Sequence, residues 1–546
     1  MTGARITAGA LSFTYQDGAL RHIRLGDVEI LRGIAFLVRD RDWGTLKPLI
    51  SVETQALGDT AKIAFRATYA SQGAELVVDV QISAGPMGLD FTAQAMAQGA
   101  FETNRAGFTV LHPITGVAGA PVTVEHCDGR IIDATFPDLI APWQPFMDLR
   151  ALTHQAGDWR VTTRMEGDTF EMEDQRQWGD ASFKTYVRPL ALPWPYVLQD
   201  GARFEQAVRL RWRPVVAAQM TAPAAPTALP RFPQTALVIT AEEATLAASR
   251  PDDLAMVAPQ RLLCHFDATR HGLRELQAFA ALQARYPALY DLELIARCDA
   301  DMDAEFASYA TAIAQSGLQL ASIMVCPSVD RGSTPPGSAW PPCPPLADVH
   351  KAARAAFPGV QMGGGMASFF PELNRKRPPV AALDFITHGL CPIVHDASDQ
   401  AVMETLEAVP HITKSARAII AAKDYRIGPC TIAMRQNPYG ARTIPNPQRG
   451  RVCMTDDDPR HRNDFGARYV LGLATALAPA GVTVWTPAGL YGARGVMDAE
   501  GRPYPMAQVL AALSAVAGQA VARADLRPND QVHLTVGNLD LRESLR

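Results

Sequence analysis

The sequence predicts a multidomain β plus α/β protein, an N-terminal antiparallel β-sandwich joined to a (β/α)8 TIM barrel. Three observations carry this. Apolar residues alternate with polar ones through the first 215 residues, prolines then crowd a short stretch, and beyond it short apolar runs alternate with helical periodicity. With 546 residues, the chain exceeds a single domain of about 100–200 residues.

In the first part, Ile63, Phe65, Ala67 and Tyr69 alternate with Lys62, Arg66 and Thr68. Leu76, Val78, Val80 and Ile82 face away from Asp79 and Gln81, and Val208, Leu210 and Trp212 alternate with Arg209 and Arg211. This is the pattern of strands with one buried face. Prolines at 214, 223, 226, 230 and 233 mark a semi-rigid linker over 216–235. The barrel is expected over 236–518, its strands in the runs Leu237–Thr240, Leu262–Phe266, Leu292–Ala296, Ser322–Cys326, Val360–Met362, Leu383–Thr387, Cys430–Met434 and Val482–Trp485. Between them Met302, Phe306, Tyr309 and Ile313 define a helix closed by Gly317, and Leu276, Phe279 and Leu282 another, stopped by Pro287. Eight such units are the barrel count, and no GxGxxG follows the first strand, which disfavours a doubly wound sheet. Over 519–546, alternation returns at Val532, Leu534 and Val536. These last strands are expected to complete the sandwich.

A hydrophobic fraction of 48% with 20% charged residues excludes wholesale disorder, and the net charge of −5 argues against a nucleic-acid or anionic-membrane partner. No apolar run reaches the roughly 18 residues of a membrane helix, and the N-terminus lacks a secretory pattern. Eight cysteines without a CxxC pair fit reduced thiols, so a cytoplasmic protein is expected.

The chemistry of a barrel lies at the C-terminal ends of its strands. Strand 2 ends Cys264-His265-Phe266-Asp267, strand 5 leads through Gly363-Gly364-Gly365 toward Glu372, Asn374 and Arg375, strand 6 leads to His388 and His395, and strand 7 to Arg435 and Asn437. The glycine run lacks phosphate-loop spacing and reads as a sharp turn at the strand end. His388, His395 and Asp267 lack the ligand spacing of a metal helix, so no metal and no cofactor is expected. In the first part, 171–186 mixes Glu173, Asp174, Arg176, Trp178 and Lys184 without period. It suits carbohydrate hydroxyls and reads as a loop reaching the barrel mouth.

The segment Glu173–Tyr186, with Gly107-Phe108-Thr109-Val110-Leu111-His112-Pro113, Pro371-Glu372-Leu373-Asn374-Arg375, Val394-His395 and Met434-Arg435-Gln436-Asn437-Pro438-Tyr439-Gly440, resembles bacterial D-apionate lactonases. The likeness spans nearly the whole chain. It implies a sandwich with a glycosidase-like barrel and hydrolysis of the five-membered lactone of a branched sugar acid during apiose breakdown, a carboxylic ester hydrolase. In one departure, related barrels carry Glu at the end of strand 8, where this chain reads Trp485-Thr486-Pro487-Ala488-Gly489.

Lactone hydrolysis needs a base for water and a donor for the oxyanion. Glu372 and His395 are the candidate bases and Arg435 the candidate oxyanion donor. Glu173, Asp174, Arg176, Trp178, Lys184, Asp267, Asn374, His388 and Asn437 are the candidate substrate contacts, Asn437 also a candidate oxyanion donor. No G-x-S-x-G elbow suggests a serine nucleophile. The alternatives are a glycoside hydrolase, against which stands the absence of carboxylates at strand ends 4 and 7, and a non-catalytic sugar-binding protein. The expected partner is a small sugar lactone, in a chain that is a possible homo-oligomer.

Overall fold

The computed structural model describes residues 3–41, 43–215, 230–299, 301–334, 338–440, 442–527 and 531–545. The chain divides into two compact units, one over 1–175 and 182–223, the other over 176–181 and 224–546. Most of the expected linker, 216–229, lies outside the described residues.

The first unit is an antiparallel sandwich of a seven-stranded and a nine-stranded sheet. The alternating segments form the strands Ala61–Ser71, Ala74–Gly85 and Arg203–Pro214 of the larger sheet. The buried face of this sheet, which also includes the strand Gly88–Gln98, meets the smaller sheet through aromatic pairs. Phe91 lies 4.9 Å from Phe108 and Phe36 6.3 Å from Tyr69, ring centre to ring centre. Segment 171–186 departs from the expected loop. Glu171–Asp174 and Phe183–Tyr186 are antiparallel strands with Glu173 opposite Lys184, and the residues between them, 176–181, belong to the second unit.

The second unit is a closed parallel barrel. Its strands, first to eighth, are Gln234–Ile239, Arg261–Asp267, Leu289–Ala296, Ser322–Pro327, Gln361–Phe369, Phe385–Gly389, Asp424–Ile427 and Val484–Tyr491, and the first pairs with the eighth. Thr240 and Glu243 form a capping box opening the helix Ala241–Ser249. Asp301 caps Met302–Ser316, which ends on left-handed Gly317. The seventh strand is not the expected run Cys430–Met434. It ends at Ile427, and the run continues into a long loop carrying Arg435. Neither the fourth nor the seventh strand ends in a carboxylate.

The glycine run also differs from expectation, because it lies inside the fifth strand. A Cβ on Gly363 would meet the Phe385 ring at 2.1 Å, and one on Gly365 the Thr387 carbonyl oxygen at 2.1 Å. The glycines let neighbouring strand and side chains approach; they do not turn the chain. The last strands, Val521–Arg527, Gln531–Val536 and Leu539–Ser544, form their own antiparallel sheet within the barrel unit, against the helix Asp464–Leu477, and not the expected completion of the sandwich. No helix among the described residues is long and apolar enough to cross a membrane.

Candidate active site at the barrel mouth

Inside the barrel the third strand turns Asp291 and Glu293 to one face, two residues apart. Asp291 receives two bonds from Arg261, at 2.6 and 2.9 Å, and one from Ser322. Nearer the C-terminal end, Glu293 receives Arg435 from the loop after the seventh strand, through both terminal nitrogens, Nη1 at 2.5 Å and Nη2 at 3.1 Å. Nη2 of Arg435 also donates to the Ala367 carbonyl at 2.6 Å. Burial pushes the Glu293 carboxyl up, but Arg435 and His265 outweigh it and hold it at about 2.

His265, at the end of the second strand, completes this arrangement with Nδ1 2.6 Å from Glu293 Oε1. A carboxylate only accepts, so Nδ1 carries the hydrogen and Nε2 is the nitrogen left to exchange a proton. The ring, Arg435, Glu243, Arg494, Thr240, Thr431 and Tyr491 line a cavity of about 230 Å³. Glu243 faces it from the first strand-to-helix turn, Oε2 accepting the Thr240 amide at 2.7 Å and Oε1 the Tyr491 amide at 3.3 Å. Burial raises its carboxyl above the ordinary value. An imidazole with an open nitrogen and a guanidinium line one cavity, with the orienting Glu293 carboxylate bonded to both, an arrangement able to supply a general base and a donor for a developing oxyanion.

A second cluster follows the fifth and sixth strands. His395 Nδ1 lies 2.5 Å from Asp180 Oδ2, and its ring meets Trp178 edge to face at 5.2 Å. Arg375 lies over the Trp178 ring at 5.4 Å and 3.4 Å from Glu372 Oε1. Glu372 itself is buried. Ser333 donates to its Oε1 at 2.6 Å and the Thr334 amide approaches Oε2 at 3.4 Å. Both oxygens therefore have donors, and the geometry favours a buried anchor over the expected base. Burial raises its carboxyl, with Ser333 and Arg375 opposing.

Of the other expected contacts, His388 is fully buried, its ring nitrogens engaged with the Gly389 carbonyl at 3.0 Å and the Tyr425 hydroxyl at 2.7 Å, out of reach of a substrate hydroxyl. Asp267 binds Thr269 and Arg331. Burial pushes its carboxyl up, but these partners hold it below the usual range. Asn437 shapes its own loop, bonding the Arg442 carbonyl and the Tyr439 amide, each at 2.9 Å. Asn374 is buried, and Arg176 is buried with a bond to His411 at 3.1 Å. In the sandwich unit, Glu173 pairs with Lys184 and Asp174 accepts the Ala141 amide at 3.0 Å, so these three meet internal partners. Among the described residues no three His, Cys, Asp or Glu side chains converge as a metal site would require.

Glu243, His265, Glu293, Arg494 and Asp180 were not among the expected residues. Signals existed for three of them, for His265 its place at the end of the second strand. Thr240-x-x-Glu243 has capping-box spacing, and Glu293 is a carboxylate inside an apolar barrel strand, where burial demands a partner.

Two family models match the chain, the N-terminal domain of D-apionate lactonase over residues 2–215 and its TIM barrel domain over 235–518. A D-apionate lactonase of Brucella anthropi is 44% identical over 537 residues, covering 94% of this chain and 88% of that protein. Among solved structures, an α-galactosidase of Geobacillus stearothermophilus matches 97% of this chain and 89% of its own at 10% identity with a TM-score of 0.28. A xylanase of Clostridium thermocellum matches 78% of this chain and 92% of its own at 9% identity with a TM-score of 0.31.

Proposed function

Because the chain belongs to the D-apionate lactonase family, we propose that it opens D-apionolactone to D-apionate in the cavity lined by His265 and Arg435, both of which Glu293 holds from the barrel interior. The enzyme is a lactone hydrolase of apiose catabolism, and the glycoside hydrolase alternative is not favoured. One observation carries the assignment of the site. A buried carboxylate fixes the His265 tautomer so that the open Nε2 belongs to a ring lining the cavity.

In this reading His265 Nε2 takes a proton from water as the water oxygen adds to the lactone carbonyl. Arg435 keeps N–H groups beyond those given to Glu293 and Ala367, and they meet the oxyanion. Collapse breaks the ring C–O bond, the imidazolium returns the proton to the departing ring oxygen, and the new carboxylic acid releases its remaining proton to water. Glu293 stabilises the imidazolium between these steps. All eight cysteines are free, which suits the reducing compartment of the cytoplasm.

The second reading rests on the Asp180–His395 pair, which fixes its imidazole in the same way. Kinetics on D-apionolactone separate the two. His265→Gln is expected to lower kcat by about 10²–10⁴-fold with little change in KM, and His395→Gln to leave kcat nearly intact. The reverse outcome moves the base to His395. Circular dichroism serves as the folding control.

A further inference from the structure

Lactone opening creates a charge that the substrate lacks. A neutral ring ester becomes a carboxylate inside a partly enclosed cavity, where an unpaired anion is costly. The two guanidiniums lining this cavity differ in their commitments. Arg435 is neutralised by the two-nitrogen contact with Glu293. Arg494, from the turn after the eighth strand, makes one side-chain hydrogen bond among the described residues, from Nη1 to the Asp456 carbonyl at 3.2 Å, and no carboxylate of those residues comes within ion-pair distance of it.

Asp456, Glu243 and Asp457 attract Arg494 without coming within ion-pair distance, and each has other partners: Asp456 accepts from Thr443, Glu243 from the Thr240 and Tyr491 amides, and Asp457 from Arg462. The loops after the seventh and eighth strands, which supply Arg435 and Arg494, are also where barrel enzymes often gather anion-binding groups.

We infer that Arg494 is the carboxylate anchor of the site, holding the sugar-acid anion that hydrolysis produces and thereby setting product inhibition. The inference rests on the cavity being the lactone site. The planar fork of Arg494 suits two-point capture of a carboxylate. An open-chain sugar acid binds this cavity through its charge, whereas a neutral ring binds through its hydroxyls. The same residue therefore separates affinity for product from affinity for substrate.

Calorimetric titration with D-apionate, and with a neutral anhydroalditol of the same ring size, tests this on the full-length protein. Arg494→Met is expected to weaken D-apionate binding about 10-fold or more, the worth of a charged hydrogen-bonded contact, with the neutral ring unaffected. Arg494→Lys, which keeps the charge and loses the fork, is expected to fall between. In turnover assays, competitive inhibition by D-apionate is expected to weaken in the same order.

Unchanged anion affinity in folded Arg494→Met overturns the inference, as does a wild type that binds the neutral ring and not the anion. If the Met variant does not fold, the Lys variant decides alone. Weakened anion binding with the neutral ring intact supports the anchor, and equal affinity removes it. His265→Gln keeps the two readings apart. An undiminished kcat there moves the reaction elsewhere, while the calorimetric comparison still decides what Arg494 binds.

Discussion

At Glu372 both carboxylate oxygens are already engaged, Oε1 by Ser333 and Arg375 and Oε2 by the Thr334 amide. Replacing it with Gln keeps the volume but removes the charge facing Arg375, whose guanidinium also covers Trp178. Glu372→Gln is therefore expected to lower stability by about 1–3 kcal/mol while kcat changes less than about 3-fold. Urea unfolding beside steady-state kinetics checks both, and a kcat loss near 10²-fold at unchanged stability restores Glu372 as the base. The sequence places Arg435 and His395 among the candidates because each follows a barrel strand. It does not reveal their carboxylate partners, because these lie 142 and 215 residues away along the chain. His265 stands at a legible strand end, yet only the contact with Glu293 distinguishes it from any other histidine.

Elements with one solvent-facing side are the most legible in this chain. Period-2 alternation locates Ala61–Ser71 and Ala74–Gly85, and the 3.6-residue period with Gly317 locates Met302–Ser316. Barrel strands are buried on both faces and carry no alternation, so a run of apolar residues does not distinguish a strand from a buried loop. That ambiguity shifts the expected seventh strand to Cys430–Met434, when the strand is Asp424–Ile427, with Arg426 turned to the barrel interior. The glycines of the fifth strand show the same limit, since their reason lies in neighbours far along the chain. Gly365 has φ +114, and a Cβ there would stand 2.1 Å from the Thr387 carbonyl and 3.0 Å from the Thr387 amide of the sixth strand. Gly365→Ala combines an unfavourable backbone region with a backbone clash that no rotamer relieves. It is expected to cost about 3 kcal/mol or more, or to abolish folding. A mild, sub-kcal effect in chemical denaturation would mean that the fifth and sixth strands yield at this point.

At the scale of the whole molecule, histidine burial sets the response to acid in both units. In the sandwich, burial pushes His154 down to about 4, and burial with the nearby His154 pushes His112 to about 3. In the barrel unit, burial drives His350, His388 and His461 to about 4, with nearby arginines adding to the effect at His350 and His461. In the unfolded chain each imidazole titrates near 6.5, so between about pH 6.5 and pH 4 the unfolded state binds more protons than the folded one. Stability is therefore full above about 6.5, declines as pH falls through that window and levels off below about 4 for four of these groups and below about 3 for His112. Each imidazole held near 4 contributes on the order of 3 kcal/mol to the decline, and His112 somewhat more. His154 offers the sharpest test, because both ring nitrogens are buried without hydrogen-bond partners and the ring packs edge to face on Phe136 at 5.5 Å. Phe keeps that packing and has no proton to take up. His154→Phe is expected to equal or exceed the wild type in stability at pH 7.5 and to flatten the sandwich unit's loss between pH 6.5 and 4. Denaturant titrations at pH 7.5, 6, 5 and 4 read the difference, and a variant that declines as steeply as the wild type would show that His154 is not protonated on unfolding.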